Sequence, residues 1–303
     1  MNANAVARPT RDTAVDFGKK FVPEELTPLF YMPWYCWLTP DQRLRYNQLQ
    51  ALYLNEQILF FETLVGRGIM DALLREQWPD GFGSQLQQFW DEERRHSEMF
   101  RQLNRLCAPQ FYTARDFHFV QAPHRWLAAL DWATHRPRLF PMLIWLMLLQ
   151  EERSLFYSKE FIRQENVIEA HFVEAHRLHL ADEVGHVRWD EQLLDLVWPG
   201  VNRCLRTLNA RLLCWMVAEF FSMPKRGQWH VVQELAGEFP ELRQRLPEMH
   251  KQISALPQDE RYQLSLYRRE ITPRSFARFD RWPEFRVMQR AIPAYHFLPK
   301  EAV

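Results

Sequence analysis

The chain has 303 residues, in which 38 Lys and Arg balance 38 Asp and Glu, and it contains only 9 glycines. Average glycine usage is about 7%, so folds built on Gly-rich phosphate loops or many tight β-turns are poorly supplied: there is no G-x-x-x-x-G-K-[ST], and Gly66-Arg67-Gly68 lacks the third glycine of a dinucleotide fingerprint. The even charge also argues against a dedicated nucleic-acid binder, which carries a basic excess.

Residues 1–20 have no apolar h-region and read as a flexible, solvated leader. From 21 to 303 a single domain is expected, with a bundle core over about 40–225 and a C-terminal helical extension over about 226–303. Residues 21–40 hold four prolines and a dense aromatic cluster, which predicts an irregular segment wrapped onto the core. Helical periodicity begins after Pro40, with Asp41 as a cap, and runs through Leu49, Leu52, Leu59 and Val65 to a stop or kink at Gly66 and Gly68. A second helix spans about 84–107 behind a serine cap. A third runs from Pro137 or Pro141 to about 164, a fourth from about 166 to Trp198, and a fifth from about 201 to 223. Beyond that, prolines 240, 247, 257, 273, 283, 293 and 299 divide shorter helical stretches. The fold class is therefore all-α.

The longest apolar run, 139–149, is too short to span a bilayer, which takes about 20 residues. Cys36, Cys107, Cys204 and Cys214 form no C-x-x-C and read as reduced, packed thiols. A cytoplasmic protein is expected.

The chemistry lies in a motif that occurs twice, Glu93-x-x-His96 and Glu183-x-x-His186. Spacing of three puts both side chains on one helix face, and two such motifs plus a Glu from each of two other helices form the ligand set of dinuclear iron or manganese bundles. Glu152 has Leu148, Leu149, Leu155 and Phe156 one turn away, and Glu62 has Ile58, Leu59 and Val65. A carboxylate on such a face costs several kcal/mol unless neutralised, and two divalent metals would neutralise four. Glu151 and Glu92, flanked by Ser154 and by Gln88 and Arg95, read as the exposed members of their pairs. Glu56 has apolar neighbours too, so composition leaves the choice between it and Glu62 open. His176, His179, Glu183 and His186 form one stripe, in which His179 can reach the same centre, His176 suits a supporting role, and Asp182 could orient an imidazole.

These residues resemble the p-aminobenzoate N-oxygenase family of ferritin-like di-iron oxygenases. Three segments carry the resemblance: YLNEQILFFETL, where the family's pattern puts the metal-binding Glu at Glu62; DEERRH, giving Glu93 and His96; and LLQEERS paired with HLADEVGH, giving Glu152, His179, Glu183 and His186. The H-x-x-x-E-x-x-H run is its most specific element, and the likeness covers roughly residues 37–200. It implies a ferritin-like bundle with two iron ions, and O2 as co-substrate for oxidation of a primary amine to a hydroxylamine, nitroso or nitro product in natural-product biosynthesis. The implied substrate is a free arylamine or an aminoacyl group on a carrier protein, and an external electron donor is required. A homodimer is one assembly open to the chain; no nucleic acid or membrane partner is expected. The basic stretch 261–281 is a candidate dock for an acidic carrier. A di-iron carbon hydroxylase would use the same ligands, and a ferritin-type iron-handling protein is the further alternative.

Overall fold

The computed structural model describes residues 14–79, 81–222 and 224–298. Within them the fold is an all-α, ferritin-like bundle with helices added at the C-terminal side, and no β-strand forms among the described residues. Four long helices make the bundle: α1 (Pro40–Phe60), α3 (Phe82–Cys107), α6 (Met142–Arg163) and α7 (Ala170–Val197). α1 packs on α3, α3 on α7, and α7 on α6.

Capping chemistry sets where these helices begin. Thr39, not Asp41, caps α1 through a reciprocal box: its hydroxyl accepts from Gln42 N at 3.3 Å, while Gln42 Oε1 accepts from Thr39 N at 3.0 Å. α3 starts behind Gly81, whose φ of +81° suits glycine, and the expected serine cap is absent because the Ser84 hydroxyl donates to Gly81 O instead. α7 starts at Ala170, where Glu169 accepts from His171 N at 2.7 Å.

After Phe60 the first helix widens into a π-helical stretch, Phe61–Gly66, before resuming as α2 (Arg67–Leu73). Each wide turn rotates side chains away from the 3.6-residue register, a device found at functional positions. Glu62 sits inside it.

The remaining helices are α4 (Pro109–Tyr112), α5 (His124–Thr134), α8 (Arg203–Met216), α9 (Lys225–Glu238), α10 (Leu246–Ala255), α11 (Glu260–Leu266) and α12 (Pro273–Phe279). Residues 21–39 form three short 3₁₀ turns laid on the core, held where Asn47 accepts from Phe21 N at 2.8 Å and donates to Val22 O at 2.6 Å. Within the expected flexible leader, residues 1–13 lie outside the described residues, but 14–20 are tied down. Gln48 Nε2 donates to Phe17 O at 2.7 Å, and Glu169 N donates to Lys20 O at 2.8 Å. Pro299 likewise lies outside the described residues. No helix among the described residues is long and apolar enough to cross a membrane.

The C-terminal helices share the bundle's core. Trp145 of α6 packs on Phe279 and Phe285 at 5.4 and 4.4 Å between ring centroids. α9 lies so close to α1 that a Cβ on Gly227 would fall 2.2 Å from the Tyr53 hydroxyl oxygen. Gly227→Ala must displace a buried ring in a close-packed core, and is expected to lower unfolding free energy by about 1–3 kcal/mol, as read by denaturant unfolding.

Candidate metal centre

Six of the seven residues singled out from the sequence converge at the middle of the bundle. α3 contributes Glu93 and His96, α7 contributes His179, Glu183 and His186, and the π-helical turn contributes Glu62; all are buried, with Glu183 and His186 at 0% exposure. Glu183 Oε1 is the hub: it lies 2.7 Å from His179 Nε2 and 3.5 Å from both His96 Nδ1 and His186 Nδ1. Glu93 Oε1 approaches His186 Nδ1 at 2.7 Å, and Glu62 Oε1 stands 3.8 Å from His179 Nε2. The donors form two adjoining groups, Glu93/His96/Glu183/His186 and Glu62/His96/His179, each with its donor atoms within 4.8 Å of one another.

Glu152 is the seventh, and its expected place requires correction. Its carboxylate turns away from this centre and accepts from Arg274 N at 2.8 Å and Ser275 N at 2.7 Å, the free amides that open α12. Glu151, expected to be exposed, is buried and faces the centre instead. Burial, and then the negative charge of Glu183, hold its carboxyl well above the usual carboxylate range.

Each imidazole is aimed by a partner behind it. Asp182 Oδ2 meets His96 Nε2 at 3.1 Å, and Glu92 Oε2 meets His186 Nε2 at 3.1 Å, leaving both Nδ1 atoms turned inward. The arrangement is crosswise: the acid preceding the Glu of each Glu-x-x-His motif holds the histidine of the other helix. Ser154 Oγ lies 3.3 Å from His179 Nδ1, which turns Nε2 inward. Ser97 Oγ donates to Glu62 Oε2 at 2.7 Å. His176 stays outside both groups; it stacks on Phe161 at 3.6 Å and meets Ser158 Oγ through Nδ1.

Glu56, the open alternative to Glu62, is occupied elsewhere. It accepts from Tyr112 Oη and from the backbone amides of His118, Phe119 and Val120, anchoring the loop before α5. Sequence reasoning missed Glu92, Ser97, Ser154 and the fully buried Asp190. For Glu92 a signal existed: an acid precedes the Glu in both motifs.

The electrostatics suit cations. Burial, and next the charge of Glu93, push Glu62 well above its ordinary value, and burial does the same to Asp190. Against the cost of burial, His179 and His186 pull Glu183 well below its ordinary value. Glu93 Oε1, His96 Nδ1, His186 Nδ1 and both Glu183 oxygens have no hydrogen-bond partner of good geometry, although they crowd one another. Buried polar atoms are rarely left so, and these point at shared positions. Four carboxylates and three imidazoles match the donor types and negative charge that two divalent iron ions require.

Among known proteins, the family model described as p-aminobenzoate N-oxygenase AurF matches residues 7–257. No curated protein gives a significant match.

Proposed function

Since the chain belongs to the p-aminobenzoate N-oxygenase family, a family of di-iron oxygenases, we propose that it is an O2-dependent N-oxygenase. It oxidises a primary amine to a hydroxylamine, nitroso or nitro product in natural-product biosynthesis. The observation that carries this reading is the inward-facing set of Glu62, Glu93, His96, Glu151, His179, Glu183 and His186, with its unpartnered buried donor atoms. Those seven side chains would hold two iron ions. Once bound and reduced by an external donor, the irons supply the electrons and coordination sites needed to activate O2.

The chain's own residues do the rest. Asp182, Glu92 and Ser154 fix the imidazoles so that the inward nitrogens need not reorganise. A cavity of about 90 Å³ opens beside the centre, touching Glu62, Glu151 and His179. Leu54, Ile58, Phe61 and Phe221 wall it with hydrocarbon, excluding water from the place where the amine must approach. Along 261–281, the candidate dock for an acidic carrier, Arg268 pairs with Glu270, Arg269 with Asp280, Arg274 with Glu191, and Arg278 with Glu191 and Asp195, which leaves Arg261 and Arg281 outside the ion pairs of the described residues.

Metal analysis of the purified protein should give about two irons per chain. Chemically reduced protein exposed to O2 with a panel of primary amines should yield products with oxygen on nitrogen, identified by mass spectrometry. Oxygen placed on carbon throughout the panel would move the assignment to a carbon hydroxylase, and iron stored without turnover would move it to an iron-handling protein.

A further inference from the structure

Behind the metal-facing side of α3 and α7 runs a short chain of charges that ends in solvent. Asp182 Oδ2, the oxygen that meets His96 Nε2, stands 3.4 Å from Nη2 of Arg95. The same Nη2 lies 3.7 Å from Glu92 Oε1, and the other oxygen of Glu92 meets His186 Nε2. One guanidinium therefore joins the two acids that aim the histidines of both Glu-x-x-His motifs. The order is His96, Asp182, Arg95, Glu92, His186. Along it the His186 side chain is fully buried, Glu92 is 11% exposed, Asp182 31% and Arg95 65%.

Among the described residues the side chain of Arg95 pairs with these two acids alone, and neither acid has another lysine or arginine partner. Its neighbour Arg94 pairs instead with Asp91, where both side chains are exposed. Glu92 and Asp182 stand close enough that the charge of Asp182 disfavours that of Glu92, and a cation shared between them offsets that repulsion. The position of the second motif that corresponds to Arg95 is Gly185. α7 thus supplies no cation of its own there, and one arginine serves both acids. An exposed ion pair adds little to fold stability, so stability does not account for the arrangement. What the acids hold does: a carboxylate behind an imidazole raises the basicity of the nitrogen that faces the metal, and a cation on that carboxylate moderates the effect.

We propose that Arg95 is a positioning residue of the metal centre, which holds Asp182 and Glu92 in register and moderates the donor strength of His96 and His186 together. Two effects act in the same direction. The guanidinium draws electron density from both carboxylates and so weakens both imidazoles as donors. Its own positive charge also disfavours the ferric state, which carries more charge than the ferrous one. Both raise the reduction potential of the bound irons, which an external donor then reduces more readily. The inference rests on the two-iron part of the proposed function and is independent of the amine chemistry.

The test is an anaerobic redox titration of the iron-loaded full chain, with iron content measured alongside. R95Q alters a largely exposed side chain and should fold and load iron as wild type does. It should nevertheless favour the oxidised centre about 10-fold more, which is a fall in potential of about 59 mV for a one-electron step. R95K, which keeps the charge at a single point, should lie between wild type and R95Q. R94Q, which removes the same charge one residue away, should match wild type. A second readout needs no electron transfer. In the cobalt(II)-loaded chain the ring N–H proton signals of His96 and His186 should move in R95Q, while that of His179, set by Ser154 and identified with S154A, should stay. An unchanged potential in R95Q would overturn the proposal. So would R94Q shifting as far as R95Q, R95K lying no nearer to wild type than R95Q, or equal movement of all three ring signals. A wild-type chain that takes up no iron would overturn the di-iron reading and this inference together, whereas an iron-loaded chain indifferent to R95Q would sink the inference alone.

Discussion

Glu151→Gln is expected to lose about one of the two irons per chain, and O2-dependent turnover should fall by at least about 100-fold, since even partners behind metal ligands cost 10- to 100-fold when removed. Glu152→Gln, one residue on, should keep full iron content. Its carboxylate serves the Arg274 and Ser275 amides, so that variant should instead weaken the seat of α12 on α6. Charge-assisted hydrogen bonds of this kind are worth about 1.5–3 kcal/mol, which a protein of this size registers as a melting point lower by several degrees. Iron quantification and thermal unfolding on the two variants read these opposite outcomes side by side. Iron lost from Glu152→Gln and retained in Glu151→Gln would reverse the placement and with it the geometry of the centre.

That pair also marks how far the sequence alone reaches. The helices α1, α3, α6 and α7 were legible because each carries a long apolar periodicity and a chemical stop such as Pro199-Gly200. The two Glu-x-x-His motifs were legible because spacing of three fixes a shared face whatever the rest of the chain does. Glu151 and Glu152 differ by 100° around α6, and both have hydrocarbon one turn away. Glu152 is indeed buried, as its neighbours required. What neutralises it is a helix start 122 residues further along, which no local pattern contains. Glu62 posed a different difficulty, because it lies in a π-helical turn where the 3.6-residue register no longer applies. Composition therefore could not separate it from Glu56, and the family resemblance had to. α5 was not anticipated, since only Thr134 among its residues is buried and its apolar stripe is correspondingly weak.

Removing the metals should expose the acidity of the centre as a pH dependence of opposite sign to that of the loaded protein. In the metal-free chain, burial holds Glu62 and Glu151 well above their ordinary 4.5, and Asp190 well above 3.8. A carboxyl raised in the folded state keeps its proton where the unfolded chain has lost it. Its stabilising contribution is full below the unfolded value and drains as pH climbs toward the folded one. His186, raised above 6.5 by Glu183 and Glu93 against the cost of burial, contributes below that value and loses its contribution as pH rises through the folded value. Glu183 runs the other way, as do Glu92 and Asp182 through their bonds to His186 and His96: their lowered values give a contribution that is fully present above the ordinary carboxylate values and is lost in acid as pH falls through the folded ones. His176, held well below 6.5 by burial and then by His179, likewise contributes above 6.5. Between pH 5.5 and 8 the lowered carboxyls add no slope, and Glu62, Glu151, Asp190 and His186 outnumber His176, so the metal-free melting temperature should decline. Metal binding reverses the slope, because each ion competes with the protons on these same groups and binds more tightly as they leave. Stabilisation then grows with the ratio of metal to dissociation constant, reaching about 4 kcal/mol at a thousandfold excess. Melting curves with Fe(II) under anaerobic conditions and with a chelator, taken across that range, should therefore diverge as pH rises. Curves that stay parallel, or a metal-free protein that gains stability toward pH 8, would mean that the four carboxylates do not share one enclosed, proton-holding site.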